Sequence, residues 1–132
     1  MAEVNCIFCK IIKGEIPSYK LYEDKDLIVI LDAFPSTKGQ SLIISKKHEP
    51  YIFGLDGKLY GKLFLKAKEA AKAIDKSLNT VRTCIVVEGF MVPHVHIRLH
   101  PCYKEHLELA PMKGKPSDSE FREIQEKIKR LL

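Results

Sequence analysis

Three of the chain's five histidines fall within seven residues, His94-Val95-His96-Ile97-Arg98-Leu99-His100. On a strand, side chains alternate between faces, so His94, His96, Arg98 and His100 share one side and Val95, Ile97 and Leu99 the other. A half-buried strand with its polar side in water is the plain alternative, but such faces draw on Lys, Glu, Thr and Ser. A neutral imidazole is nucleophilic at pH 7, and its phosphorus–nitrogen adduct can be hydrolysed. Histidine is also a common zinc ligand, and a neighbouring arginine grips phosphate through two parallel hydrogen bonds. Together these residues point to attack on a phosphorus centre. A second constellation is the CxxC pair Cys6 and Cys9. In a reducing cytosol such a pair is more readily a metal or redox site than a structural disulfide. Cys84, among apolar strand neighbours, reads as a buried hydrophobe. Cys102 is given no role, and His106 reads as a surface residue.

These residues need elements to hold them. Leu27-Ile28-Val29-Ile30-Leu31 is a continuous apolar run after the polar Glu23-Asp24-Lys25-Asp26, as in a buried strand following a turn. Phe34 to Gly39 is turn chemistry, and Ser41-Leu42-Ile43-Ile44 is a second strand, joined closely enough to pair antiparallel. Between Gly57 and Asn79, Leu59, Leu63, Ala67, Ala70, Ile74 and Leu78 recur at three- and four-residue steps and predict a helix. Lys58, Lys62, Lys66, Lys72 and Lys76 occupy much of its remainder. Such a stripe could hold nucleic acid, but a solvated helix face is the commoner meaning, so nucleic acid is not the expected partner. Strands are expected at Thr83 to Glu88 and Val92 to His100. Pro111 to Pro116 reads as a linker. Ser117 and Glu120 form a capping box for a last helix with Phe121, Ile124, Ile128 and Leu131 inward. The pattern is α+β: an antiparallel sheet with one long helix packed on it and a C-terminal helix.

With 132 residues, 45% apolar and 30% charged, the chain is expected to form a single domain over 1–132, with a real core. A disordered tail, a collagen-like fibre and a disulfide scaffold are excluded by this composition. No apolar run approaches the roughly 20 residues that cross a membrane. The first residues lack a signal-peptide pattern, so a cytoplasmic location is expected. The net charge of +5 favours anionic partners, phosphorylated small molecules among them.

Several ordered pieces resemble the histidine triad (HIT) family. These are Cys6-Ile7-Phe8-Cys9-Lys10-Ile11-Ile12-Lys13-Gly14-Glu15-Ile16-Pro17, Tyr22-Glu23-Asp24, Leu31-Asp32, the stretch Gly39 to His48, and Pro93-His94-Val95-His96. The resemblance runs from Cys6 to about Pro101, leaving 111–132 as linker and helix. It is nearest to the Hint-like nucleoside phosphoramidate and dinucleotide hydrolases, including zinc-containing bacterial members. It implies a HIT-like fold and a homodimer. It also implies that His96 attacks the α-phosphorus of a purine nucleotide or nucleotide conjugate, forming a nucleotidyl-histidine that water then releases. Asp32 would hold the ribose hydroxyls, although after a buried strand it could simply start the next turn. Ile7, Phe8, Ile11 and Ile30 would line the base pocket, although plain core is an equal reading. Cys6, Cys9, His48 and His94 would hold a structural zinc, with all four positions filled by protein; two free thiols are the alternative.

The chain departs from that pattern in three places. Arg98 stands where the third histidine belongs; it donates to phosphate but cannot exchange a proton near neutral pH. Relatives with glutamine there tend toward nucleotidyl transfer, so hydrolysis and transfer both stay open. Gln40, counted with the nucleotide-binding residues, replaces a frequent histidine and can hydrogen-bond without carrying charge. The stretch Val86 to Pro93 is shorter than the phosphate-contacting loop of many relatives. His100 adds an imidazole beyond the usual triad. The catalytic expectation is therefore His96, assisted by Arg98 and His94, in a nucleotide hydrolase or transferase. A catalytically weak nucleotide-binding or partner-binding module is the alternative.

Overall fold

The computed structural model describes residues 4–132. Five strands form one antiparallel sheet in the order β1-β2-β3-β5-β4. In chain order the elements are α1 (Ile7–Ile12), β1 (Lys20–Glu23), β2 (Leu27–Leu31) and β3 (Ser41–Ser45). They are followed by a 3-10 turn (Ile52–Gly54), α2 (Gly57–Leu78), β4 (Arg82–Val86), β5 (His96–Cys102) and α3 (Asp118–Lys129). This is the expected α+β arrangement. Every residue of β2 and β3 is buried, because helices cover both sheet faces, which is why Leu27 to Leu31 reads as an unbroken apolar run rather than an alternating one. Leu27, Val29, Leu31, Ile43, Ile97 and Leu99 meet α2 and α3 in the larger core. Ile28, Ile30, Leu42 and Ile44 meet Phe8 of α1 in the smaller one. Register places Ile44 opposite His96 and Leu42 opposite Arg98, so the polar row of β5 lies on the α1 side.

The long helix follows its apolar period: Leu63, Ala67, Ala70 and Ile74 are buried, with Leu59 and Leu78 packed beside them. Asp56 Oδ1 accepts the Leu59 N–H at 2.9 Å, and Asn79 ends the helix in the left-handed region. Two lysines of the basic stripe have partners inside the molecule. Lys62 reaches Asp24 and Asp26, and Lys66 lies over the Tyr22 ring and beside Glu69. The capping box at Ser117 and Glu120 is formed as expected. Among the described residues no helix is long and apolar enough to cross a membrane.

Four local expectations are corrected. β5 begins at His96, not Val92, because Val95 N–H leaves the ladder for the Glu49 carbonyl and Pro93 precedes a tight His94–Val92 contact. β4 runs Arg82–Val86 and stops short of Glu88, whose carboxylate instead accepts the Phe90 N–H. Leu131 is exposed, since α3 has ended at Lys129. Cys84 is half-buried rather than buried, because β4 is an edge strand. α1 and β1, six and four residues long, add two elements to those expected from the sequence.

Candidate functional site

Cys6 and Cys9 are brought together by the start of α1. Cys6 is the N-cap residue, and its sulfur accepts the Cys9 N–H at 3.5 Å. His48 follows β3 and His94 precedes β5, and both reach the same point. Cys6 Sγ lies 3.3 Å from His94 Nδ1, and Cys9 Sγ lies 3.4 Å from His48 Nδ1 and 3.6 Å from His94 Nδ1. The two Nδ1 atoms are 3.1 Å apart, and all four donor atoms lie within 4.8 Å of one another. His94 Nε2 sits 2.6 Å from the Ser45 carbonyl. A carbonyl only accepts, so the proton is on Nε2 and the Nδ1 lone pair faces the cluster. Ligand bonds of about 2.3 Å to sulfur and about 2.0 Å to nitrogen put tetrahedral donors about 3.3–3.8 Å apart, the longest edge between the two sulfurs. The donor set fits a tetrahedral metal of the zinc type.

His96, buried at the start of β5, sets its Nδ1 2.7 Å from the His94 carbonyl. By the same logic Nδ1 carries the proton, leaving Nε2 with its lone pair free. Burial lowers its pKa, the His94 carbonyl opposes this, and the Arg98 charge lowers it further. The ring is therefore neutral at neutral pH, which is the nucleophilic form. His100 is also held neutral by burial and by Arg98. Among the described residues, Arg98 Nε and both His100 ring nitrogens are buried without a hydrogen-bond partner. His96 borders a cavity of about 110 Å³ with Glu88, Gly89, Val87 and Val95.

A larger pocket of about 690 Å³ lies on the α1 side of β2. Ile7, Phe8, Ile11, Ile30 and Asp32 all line it. The Phe8 ring links it to the histidines, meeting His96 edge-on at 4.7 Å and His94 at 5.8 Å. Gln40 does not line this pocket. It is buried behind Asp32, accepting the Ser36 N–H at 2.8 Å and donating to Asp32 Oδ2 at 2.8 Å. Asp32 Oδ1 accepts the Phe34 N–H, so the carboxylate also shapes the turn it begins. Gly39 brings Gln40 into place: its φ of +88° suits glycine, and a Cβ there would collide with Leu78.

Other lining residues carry weaker signals in the sequence. Leu42 shares the pleat face of Ile30 and Ile44, so period-two reading reaches it. Tyr19, Asp118, Arg122 and Gln125 also line the pocket. They arrive from β1's approach and from α3, and no local spacing connects those segments to residues 7–32. His106 is exposed, as expected.

Comparison with known proteins supplies the family. A family model described as the HIT domain matches residues 13–105. The chain is 38% identical over 104 residues to "Protein hit" of Bacillus subtilis, covering 75% of this chain and 72% of that protein. An adenosine 5'-monophosphoramidase of Schizosaccharomyces pombe is 33% identical over 99 residues, 74% of each chain. A Hit-like protein from Bartonella henselae, described as involved in cell-cycle regulation, superposes with a TM-score of 0.86 at 26% identity, over 98% of each chain. With most of its length matched in sequence and nearly all of it in fold, this chain belongs to the HIT domain family.

Proposed function

We propose that the protein cleaves nucleotide conjugates, such as phosphoramidates or phosphoanhydrides, at the α-phosphorus through a nucleotidyl-histidine on His96. The observation that carries this is the His96 imidazole, neutral by burial, with Nδ1–H given to the His94 carbonyl and Nε2 free to attack. The Nε2–phosphorus bond forms as the bond to the leaving amine or phosphate breaks. Water then adds to phosphorus, and the imidazole leaves with the nucleoside monophosphate released. Arg98 would draw charge from the nonbridging oxygens, a role supported by its buried, unpartnered Nε. The base would rest among Ile7, Phe8, Ile11 and Ile30. Asp32 would take the ribose hydroxyls, with Gln40 supporting its carboxylate from behind, and His94 would orient His96 through its carbonyl. Hydrolysis of an AMP conjugate is the activity named for the S. pombe relative.

Cys6, Cys9, His48 and His94 would hold one zinc ion. With four protein ligands there is no position for water, so the metal would order the chain and take no part in bond cleavage. The assembly implied by the family resemblance is a homodimer.

The test is release of AMP from adenosine 5'-phosphoramidate by wild type and His96→Ala. Turnover should fall by about 10³-fold or more in the variant, while AMP binding persists. A second reading, a binding module, is favoured by Arg98, which cannot exchange a proton near neutral pH. It would show AMP affinity with no turnover dependent on His96.

A further inference from the structure

The buried side-chain atoms without a hydrogen-bond partner among the described residues, Arg98 Nε and the two ring nitrogens of His100, all belong to one face of β5. Arg98 and His100 are two residues apart, so their side chains stand next to each other on the His96 side of the sheet. His100 is 2% exposed, whereas Arg98 is half-buried. Arg98 therefore turns its Nε inward and leaves the outer end of the guanidinium at the surface. An Nε–H held away from water needs an acceptor. The acids near this row are already engaged. Asp32 receives the Phe34 N–H and the Gln40 amide, and Glu88 receives the Phe90 and Met91 N–H groups. Leu42 and Val86, which face Arg98 from the neighbouring strands, have no polar side chain to offer. His100 is the acceptor that remains.

We infer that His100 is a positioning residue: in the nucleotide-bound protein its imidazole accepts the Arg98 Nε–H and so aims the outer guanidinium nitrogens at the phosphate. This rests on the reading that His96 attacks that phosphate. Catalytic hydrogen bonds are often loose until substrate tightens them, which accounts for two adjacent groups standing unbonded here. Burial and the Arg98 charge hold His100 neutral, so one ring nitrogen keeps a lone pair to offer. A neutral acceptor suits the task. A carboxylate behind Arg98 would offset the charge that the phosphate oxygens draw on, whereas an imidazole fixes direction and leaves the charge intact. His100 does not reach phosphorus itself, since four residues of strand put it roughly 13 Å along β5 from His96. It acts through Arg98.

The test is a double-mutant cycle in full-length protein purified without chelator. It reads AMP release from adenosine 5'-phosphoramidate and, separately, affinity for AMP and for adenosine. His100→Leu removes the acceptor, His100→Gln keeps one, and Arg98→Lys keeps the charge but lacks the Nε–H. His100→Leu should lower kcat/KM by about tenfold or more and AMP affinity by about fivefold, with adenosine affinity within about twofold. His100→Gln should retain at least about a third of wild-type kcat/KM. In an Arg98→Lys background, His100→Leu should change neither kcat/KM nor AMP affinity by more than about twofold. Circular dichroism and melting establish that each variant is folded, and His100→Met replaces a leucine variant that is not. Equal losses in the leucine and glutamine variants, full additivity with Arg98→Lys, or adenosine affinity falling as far as AMP affinity would each overturn the inference while turnover through His96 stands. If wild type binds AMP without turnover, the affinities alone carry the cycle and decide it by the same criteria. Protein that binds no AMP overturns this inference together with the reading it rests on.

Discussion

Gln40 uses both ends of its side-chain amide on the loop that carries Asp32. A leucine there would leave the Ser36 N–H unpaired in a buried site and remove one of the bonds holding the Asp32 carboxylate. An unpaired buried donor costs about 1–3 kcal/mol, so Gln40→Leu should lose stability of that order in urea unfolding. Because Gln40 stands behind Asp32, the kinetic effect should fall on substrate binding. KM for an AMP conjugate should rise about tenfold, equivalent to about 1.4 kcal/mol, with kcat within about twofold. A drop confined to kcat would instead mean that Gln40 serves the reacting phosphate. At this scale the sequence is legible where residue type and spacing coincide, as in Cys6-x-x-Cys9 and the His94–His100 row. It is not legible where function depends on which side chain lies behind another. Nothing in residues 32, 36 and 40 announces that the glutamine bonds to both of the others.

The turn between β1 and β2 is built on Asp24. Burial pushes its carboxyl upward, but the Asp26 and Leu27 N–H groups, the Tyr22 hydroxyl and Lys62 outweigh that and hold it at about 2, against 3.8 in a free chain. A carboxyl lowered by folding contributes stability that is complete above the unfolded value and lost as pH falls through the folded one. The contribution is about 1–2 kcal/mol after allowance for its partial exposure. In urea melts, Asp24→Asn should therefore be less stable than wild type at pH 6. The gap should narrow below about pH 4 and close near pH 2, whereas a pH-independent gap would assign the loss to packing. At the other end of the chain, Ser117→Ala removes one half of the capping box. It should cost about 1 kcal/mol, read as a lower urea midpoint with unchanged slope. Both long helices were legible because several turns repeat one apolar stripe. β1 and α1 were not: β1 is four residues at a sheet edge, and α1 is six residues stabilised by a cysteine cap and by what its sulfurs face. β5 started late because Pro93 and the demands on His94 outweigh an alternating pattern that extends to Val92.

Across the whole molecule, the four metal-type donors connect segments far apart in sequence: α1, the end of β3 and the approach to β5. The same α1 supplies Ile7, Phe8 and Ile11 to the large pocket, and Phe8 touches His96. A six-residue helix has little stability of its own, so its position depends on this tie and on Phe8 packing over Ile28, Ile30, Leu42 and Ile44. A metal bound at the cluster should therefore govern nucleotide affinity without touching nucleotide. Protein purified without chelator should carry about one equivalent of zinc, and less than about half would count against the assignment. Removing the metal should lower the melting temperature by at least about 5 °C, the effect of a few kcal/mol in a domain of this size. AMP affinity should fall in parallel, and both should return on adding zinc. His48→Ala separates the tie from the chemistry, since His48 is distant from His96 in sequence and shares no carbonyl bond with it, unlike His94. It should reproduce the loss of metal, melting temperature and AMP affinity together. Loss of metal with AMP affinity and melting unchanged would mean that the apolar packing of Phe8 alone holds α1 against the sheet.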